Sequence, residues 1–210
     1  MRDRLEIKNL SKKLGSRMVL RGVSFSAETG DLIVLTGENG SGKTTMLRLL
    51  AGLSRPTGGA VLWNGSPYGI EHGSIGYVAH QPMLYDNLTV WENMQFFANL
   101  YDRPLTAIEG LLRRMGLWVF RHELAEILSR GMQQRLALAR VLLMDPKLIL
   151  YDEPFTGLDS AGQELLREAL AGQKQKTIQI VVSHTPHLMA GLSFRHLKLA
   201  DGKAHWGGVS

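Results

Sequence analysis

Short apolar runs alternate with stretches of helical spacing along most of the chain. An uninterrupted apolar run at 32–35 leads into the glycine-rich segment 37–45, which is followed by a helical pattern. Three further apolar runs, at 75–82, 147–154 and 177–184, predict buried strands, and each ends on polar residues. Strands that alternate with helices in this way predict an α/β core.

Other short strands are predicted nearer the ends of the chain. Residues 5–10 and 23–28 carry apolar side chains at spacings typical of strands. Residues 60–65 predict a strand that ends at an Asn-Gly turn. The tail predicts a closing hairpin around Asp201-Gly202.

Two Thr-x-x-Glu patterns predict the starts of two helices in the middle of the chain. Thr89 and Glu92 form the first pattern, and Thr106 and Glu109 form the second. The segment 85–128 is therefore predicted to be a helical insertion. An apolar and aromatic stripe marks the first helix, and it serves either core packing or binding: Trp91, Met94, Phe97, Ala98 and Tyr101.

Further helices are predicted at about 43–53, from Ser129 to Pro146, and at about 160–172. Ser129 stands at a predicted helix N-terminus. A serine there either caps the helix or binds an anion.

Composition limits the classes of function. With no cysteine among 210 residues, disulfides, thiolate metal sites and cysteine nucleophiles are excluded. The start lacks the apolar core of a signal peptide, and no run approaches the ~20 apolar residues that span a bilayer. We therefore expect a cytoplasmic protein that needs a partner to act at a membrane. The net charge of +5 fits nucleic acid, an anionic membrane surface or a solvated basic face.

The segment 37–45 has the spacing of a phosphate-binding loop. Gly37, Gly40 and Gly42 allow the backbone to turn successive N–H groups toward phosphate oxygens. Lys43 is expected to reach the β- and γ-phosphates, and the Thr44 hydroxyl to bind Mg²⁺. The alternative is a simple glycine-rich turn, but the preceding strand, the Lys-Thr pair and the following helix favour the phosphate loop.

The polar residues that end the later strands are candidates for chemistry. Gln81 either contacts Mg²⁺ or the attacking water, or merely ends its strand. Asp152 and Glu153 follow a fully apolar strand, and such carboxylates imply a nearby cation or reacting group. Asp152 is expected to orient the ligand shell of the metal ion, and Glu153 to act as general base. His184 ends the last strand and is a candidate for contact with the γ-phosphate.

With these motifs in this order, the chain resembles the ATPase subunit of an ABC transporter over nearly its whole length. The resemblance makes 37–45 the Walker A loop, Gln81 the Q-loop and 148–152 the Walker B strand. It also makes Glu153 the catalytic base, Asp159 the D-loop and His184 the switch histidine. The Walker A residues implied to bind ATP are Gly37, Glu38, Asn39, Gly40, Ser41, Gly42, Lys43, Thr44 and Thr45.

The segment LSRGMQ, residues 128–133, is similar to the ABC signature. The resemblance implies that Ser129 and Gly131 contact ATP held by an opposite subunit, so that two copies enclose two ATP molecules. Arg130 and Met132 stand where the family usually has Gly and Gln, as in some exporter subunits.

The family often places an aromatic residue under the adenine, at the position of Leu14 in this chain. Leucine cannot stack on a base, and stacking contributes roughly 1–3 kcal/mol. We therefore predict loose base selectivity and weaker ATP binding.

The resemblance implies a single ABC ATPase domain over 1–210. Residues 1–84 and 129–210 would form the nucleotide-binding core with an antiparallel β subdomain, and 85–128 an inserted α-helical subdomain. The expected fold class is thus α/β, a P-loop NTPase core of the ABC type.

Within the family, the short chain and its segments AVLWNG (60–65), SRGMQQRLALAR (129–140) and YDEPFTGLD (151–159) make it most similar to the ATPase of the haem exporter of cytochrome c maturation. This implies ATP and Mg²⁺ as cofactors, an integral membrane permease and a second, identical ATPase subunit as partners, and a place on the cytoplasmic face of the inner membrane. A drug, lipid or polysaccharide exporter remains an alternative. A soluble ABC-type ATPase on DNA or ribosomes is disfavoured, since no long coiled-coil insertion, second ATPase domain or zinc cysteines are present; nucleic acid is not expected as a partner.

Overall fold

Two β-sheets and five α-helices are found in residues 2–67 and 75–209, the part of the chain that this computed structural model describes. Residue 1, residues 68–74 and residue 210 belong to the predicted nucleotide-binding core but lie outside the described residues. The strands are β1 (Arg4–Leu14), β2 (Arg17–Glu28), β3 (Leu32–Thr36), β4 (Gly58–Trp63), β5 (Ser66–Pro67), β6 (Ile75–Val78), β7 (Leu148–Asp152), β8 (Ile178–Val182), β9 (Arg195–Ala200) and β10 (Lys203–Val209). The helices are α1 (Lys43–Leu50), α2 (Val90–Leu100), α3 (Thr106–Arg114), α4 (Arg130–Leu143) and α5 (Ser160–Gln173), with short 3-10 helices at Trp118–Phe120, Ala125–Ile127 and Pro186–Met189.

The larger sheet has the strand order β10-β9-β3-β8-β7-β6, and its strands from β9 to β6 are parallel. Successive residues of a strand face opposite sides of a sheet. Leu32 and Val34 accordingly pack into a core with the helices α2 to α5, whereas Ile33 and Leu35 pack into a second core with α1. Because the parallel strands are covered on both faces, their sequences are continuous apolar runs.

The smaller sheet is antiparallel, with the order β2-β1-β4-β5, and it covers the second core. Asn64 and Gly65 both have positive φ, at 52° and 81°, in the tight turn from β4 to β5. Asp201 and Gly202, with φ of 50° and 75°, form the turn between β9 and β10. Both predicted turns are confirmed, since Asn-Gly and Asp-Gly pairs favour these backbone angles.

The two predicted helix starts have different outcomes. Thr89 caps α2: its hydroxyl accepts from the Glu92 N–H at 3.1 Å, and the Glu92 carboxylate accepts from the Thr89 N–H at 2.8 Å. The second predicted capping box is wrong, because Leu105 is the N-cap of α3 and Thr106 is already helical. The Pro104 and Leu105 carbonyls accept the first N–H groups of that helix, which therefore begins without a side-chain cap.

Several predicted elements end earlier in the structure. β6, β7 and β8 stop at Val78, Asp152 and Val182, so that Gln81, Glu153 and His184 lie in the turns that follow. The helix after the phosphate loop ends at Leu50 rather than near residue 53, before Gly52 at φ 70°. The helices α2 and α3 lie between β6 and α4, as predicted, whereas a separate helical subdomain over 85–128 stays a prediction.

Candidate functional site

The phosphate loop joins the carboxyl end of β3, an interior strand of the larger sheet, to α1. Gly37 and Gly42 have φ of 153° and 106°, and a Cβ on Gly37 would lie 2.4 Å from the Leu199 carbonyl oxygen. Only glycine fits such positions, since side chains are excluded by both the backbone angle and the close approach. The loop therefore presents its backbone directly at the N-terminus of α1, a geometry suited to anions.

Lys43 is folded back across the loop. Its Nζ donates to the carbonyl oxygens of Gly37, at 2.8 Å, and Glu38, at 2.9 Å. Burial lowers the pKa of the Lys43 ammonium, although the carboxylates of Glu153 and Asp152 act in the opposite direction. Only 6% of the residue is exposed, so the loop holds its cation with little freedom.

The other loop residues differ in exposure. Glu38, Asn39, Gly40 and Thr44 are exposed, whereas Ser41, Gly42 and Thr45 are half-buried. Within the described residues, the hydroxyl oxygen of Ser41 is buried with no hydrogen-bond partner. An orphaned buried hydroxyl costs free energy, which a bound phosphate oxygen would recover.

Thr44, in the first turn of α1, meets Asp152 at the carboxyl end of β7. The Thr44 hydroxyl donates to Oδ1 of Asp152 at 3.2 Å, and the Tyr77 hydroxyl donates to Oδ2 at 3.1 Å. Burial, and secondarily the Asp152 carboxylate, raises the pKa of Tyr77 to about 12. Asp152 is only 3% exposed and is thus held from both sides.

Tyr77 is a site residue that sequence reasoning missed. It lies within the apolar run of β6, where a tyrosine is typical of core packing. The only sequence signal was its position four residues before Gln81.

Glu153 occupies the turn after β7 with its backbone in the left-handed region, at φ 55°. Its N–H donates to the Val182 carbonyl at 3.1 Å, which fixes the turn against β8. Oε1 lies 3.1 Å from Nε2 of His184, and Oε2 lies 3.9 Å from Nδ1 of His80. Two imidazoles thus flank one carboxylate, and His80 is a further residue that sequence reasoning did not assign.

Gln81 lies on an open cleft beside these residues. Thr44, Asp152 and Glu153 line the same cleft, and Gln81 itself is exposed. The structure therefore brings together the phosphate-loop threonine and three of the polar residues that follow the parallel strands.

The signature and D-loop residues form a second group. Ser129 caps α4 by accepting from the Met132 N–H at 3.3 Å, and Asp159 caps α5 by accepting from the Gly162 N–H at 2.8 Å. A Cβ on Gly131 would lie 3.2 Å from the Gly157 carbonyl, so the two segments are packed together. Among the described residues, no hydrogen bond joins Ser129, Gly131 or Asp159 to the loop 37–45.

A large basic cleft lies on the other side of the phosphate loop. It is lined by residues 37–41, by Arg17 and Arg21 of β2, and by residues 198–203 of the closing hairpin. Leu14 pairs with Arg17 at the tip of the β1–β2 hairpin and is 51% exposed. An aliphatic side chain is therefore exposed at this hairpin tip, at the position that was predicted to face the base.

A family profile described as "ABC transporter" matches residues 20–156. The chain belongs to the ABC transporter family. A solved structure described as "Structure of ATP binding subunit of ABC transporter" superposes with a TM-score of 0.85 at 29% identity, covering 97% of this chain and 89% of that chain. The predicted ABC ATPase fold is therefore confirmed.

Similar proteins support the assignment to this family. The "Cytochrome c biogenesis ATP-binding export protein CcmA" of Salmonella typhi is 38% identical over 205 residues, covering 95% of this chain and 98% of the relative. The protein of that name from Escherichia coli K12 is 36% identical over 205 residues, with the same coverage. The "Uncharacterized ABC transporter ATP-binding protein YdbJ" of Bacillus subtilis is 37% identical over 169 residues, which span 78% of this chain and 55% of that relative.

The chain is thus an ATP-binding subunit of an ABC transporter, a domain that binds ATP, has ATPase activity and works with a membrane permease. Across residues 2–67 and 75–209, none of the helices is both long and apolar enough to cross a bilayer.

Proposed function

We propose that this chain is the ATP-hydrolysing subunit of a haem-export complex that serves cytochrome c maturation. The observation that carries the proposal is the match to CcmA proteins, which covers 95% of this chain and 98% of theirs. The contacts of Lys43 within the loop, of Thr44 with Asp152 and of Glu153 with His184 support this proposal.

The phosphate loop is the proposed seat of the triphosphate. Backbone N–H groups of 37–45 would surround the phosphate oxygens, and the unpaired Ser41 hydroxyl would donate to one of them. Lys43 would exchange its bonds to the Gly37 and Glu38 carbonyls for charge-assisted bonds to the β- and γ-phosphates. The cation is already in the loop, so little rearrangement is needed.

The oxygens of Thr44 and Asp152 fit Mg²⁺, which prefers hard oxygen ligands and commonly takes one or two from the protein. Gln81, on the same cleft, is the third candidate ligand. When bound, Mg²⁺ would neutralise charge on the β- and γ-phosphates. Tyr77 would keep Asp152 oriented through its hydroxyl.

Glu153 is the proposed general base. Its carboxylate would accept a proton from a water molecule whose oxygen forms a bond to the γ-phosphorus, while the bond between that phosphorus and the β,γ-bridging oxygen breaks and ADP leaves. His184, 3.1 Å from Oε1, would hold the carboxylate and face the γ-phosphate. Gln81 would help to place the water.

Ser129, Gly131 and Asp159 are proposed to act across a homodimer. They form a packed group with no hydrogen bond to the phosphate loop among the described residues, and Ser129 and Asp159 are exposed. A second copy would place this group over the γ-phosphate held by the first. Hydrolysis would then require two subunits.

The proposed permease contact is an exposed surface on the helical segment after Gln81, which we call the aromatic surface. It consists of Met83, Tyr85, Phe96 and Leu100, which are between 41% and 58% exposed. The rings of Tyr85 and Phe96 are in edge contact, 4.8 Å between centroids. A cytoplasmic helix of the permease would bury this surface and hold the chain at the cytoplasmic face of the inner membrane.

Covalent haem staining of membrane c-type cytochromes tests the role in cells whose own copy carries Lys43→Ala. We expect the staining to be lost while b-type haem remains, because the triphosphate loses its cation. Lys176→Ala, which removes an exposed lysine, is the matched control. Unchanged staining with the Lys43 variant expressed, and no second copy present, would assign the subunit to another exporter.

A further inference from the structure

A chain of polar contacts leads from the signature segment to Glu153 within one subunit. Arg130, the first residue of α4, places Nη2 3.3 Å from Nε2 of His80. The other ring nitrogen of His80, Nδ1, lies 3.9 Å from Oε2 of Glu153. His80 therefore stands between an arginine of the signature and the proposed base.

A hydrogen bond from Arg130 to His80 requires one particular tautomer of the imidazole ring. A guanidinium has N–H donors and no acceptor, so Nε2 must accept and cannot carry a hydrogen. The proton of the ring then resides on Nδ1, the nitrogen that faces Glu153. Without the arginine, only the carboxylate of Glu153, 3.9 Å away, would favour a proton on Nδ1, and the form protonated on Nε2 would become accessible.

The stem of Arg130 lies against the backbone at Gly157. Its Cδ lies 3.1 Å from the position that a Cβ on Gly157 would occupy, so the side chain lies flat on the turn between Glu153 and Asp159. Gly157 has φ of 79°, a left-handed backbone angle that favours glycine, and its lack of a Cβ leaves room for the arginine stem.

Stability alone does not account for this arrangement. Arg130 is exposed, and the side chains of His80 and Glu153 are 44% and 30% exposed. Exposed polar pairs contribute little to the free energy of folding. Contacts of this kind matter more for the orientation of a reacting group, because small displacements of that group lower the rate of the reaction.

We propose that Arg130 and His80 are positioning residues for hydrolysis. Arg130 donates to Nε2 of His80, which leaves the ring proton on Nδ1, and His80 then directs that N–H toward Oε2, 3.9 Å away, while His184 contacts Oε1. The proposal rests on the proposed function, because it takes Glu153 as the base. It also links the signature segment to the base of its own subunit.

The tautomer of His80 can be observed directly by NMR of the full chain labelled with ¹⁵N-histidine, without ATP. The His80→Gln spectrum identifies the His80 signals among the seven histidines. We expect Nδ1–H in the wild type and in Arg130→Lys, and a majority of Nε2–H in Arg130→Met. Nε2–H in the wild type, or an unchanged tautomer in Arg130→Met, would overturn the proposal.

Kinetics of the same variants test whether the contact matters for turnover. At protein concentrations that allow subunits to pair, we expect Arg130→Met and His80→Phe each to lower kcat about tenfold, with KM within about twofold of the wild type. Because Arg130 acts through His80, the double variant should lose no more than His80→Phe alone. Multiplied losses, or a changed KM with kcat retained, would refute the positioning role.

Two further variants separate this proposal from the function on which it rests. Arg114→Met removes an exposed arginine of α3 and should leave kcat unchanged. If Glu153→Gln hydrolyses ATP like the wild type, the base assignment fails and this proposal fails with it. If Glu153→Gln is inactive but the Arg130 and His80 losses multiply, the positioning proposal alone fails.

Discussion

Nε2 of His184 lies 3.1 Å from Oε1 of Glu153, although the two residues follow different strands, β8 and β7. Adjacent parallel strands end side by side, and the N–H of Glu153 is bonded to the Val182 carbonyl at the end of β8. The contact between Glu153 and His184 is therefore a direct product of sheet register.

Glu153→Gln should reduce ATP turnover by at least about a hundredfold, because an amide cannot accept the proton of the attacking water. Binding of ATP should remain, and the closed dimer should accumulate by size-exclusion chromatography. Glu168→Gln, on the exposed face of α5, is the control and should hydrolyse normally. Wild-type turnover in the Glu153 variant would show that another group is the base.

Tyr77 should make folding sensitive to alkaline pH. Its folded-state pKa is raised to about 12 from the ordinary 10.0, chiefly by burial. Between these values the unfolded chain releases the phenolic proton and the folded chain retains it, so rising pH favours unfolding. The stabilisation is fully present below pH 10 and is lost as the pH rises toward 12.

Urea unfolding at pH 9.5 and pH 11.5 measures this effect. Tyr77→Phe should lose less free energy of unfolding between the two pH values than the wild type does. Tyr85→Phe, which removes an exposed hydroxyl, should behave like the wild type. An equal pH dependence in the Tyr77 variant would contradict the raised pKa.

The two Thr-x-x-Glu segments form a matched pair. Thr89→Ala should lower the free energy of unfolding by about 1 kcal/mol, because it removes the N-cap of α2. Thr106→Ala should have almost no effect, since Thr106 is not a cap in the structure. Thermal unfolding resolves the difference, which for a chain of this size is about 2–4 °C in Tm. A similar loss of unfolding free energy in both variants would show that Thr106 also caps its helix.

These two threonines also show which local structures could be predicted from the sequence. Motifs that depend on local backbone geometry, such as the phosphate loop, the Asn64-Gly65 turn and the Thr89 cap, could be predicted because their hydrogen bonds lie within a few residues. At Thr106 the same pattern failed, since the Pro104 and Leu105 carbonyls supplied the first acceptors.

Contacts between distant segments could not be predicted in this way. Tyr77 reaches Asp152, and His80 lies between Arg130 and Glu153, only because β6 pairs with β7 and α4 begins beside them. Strand order is set by tertiary packing. The pattern of apolar residues within one strand does not identify the strand that pairs with it. The polar strand ends predicted a site, but not its supporting residues.

Leu14 makes base selectivity a measurable property of this subunit. With an aliphatic side chain at the tip of the β1–β2 hairpin, we expect comparable affinities for ATP and GTP. Leu14→Tyr should raise the affinity for ATP about tenfold, since stacking on a base contributes roughly 1–3 kcal/mol. Leu14→Ile keeps an aliphatic group and should bind as the wild type does. Strong ATP preference in the wild type would mean that another side chain reads the base.

The aromatic surface gives a test of permease docking that leaves the nucleotide site intact. Phe96→Glu places a charge against Tyr85 and Phe97, whose rings lie 4.8 and 5.1 Å from that of Phe96, and an apolar partner helix would have to bury that charge. We expect the variant to bind ATP normally but to be lost from washed membranes of cells that contain the permease. Val119→Glu, at a residue 75% exposed elsewhere on the helical segment, should stay membrane-bound. Retention of Phe96→Glu would place the docking surface elsewhere, because a buried glutamate at the centre of an interface is not tolerated.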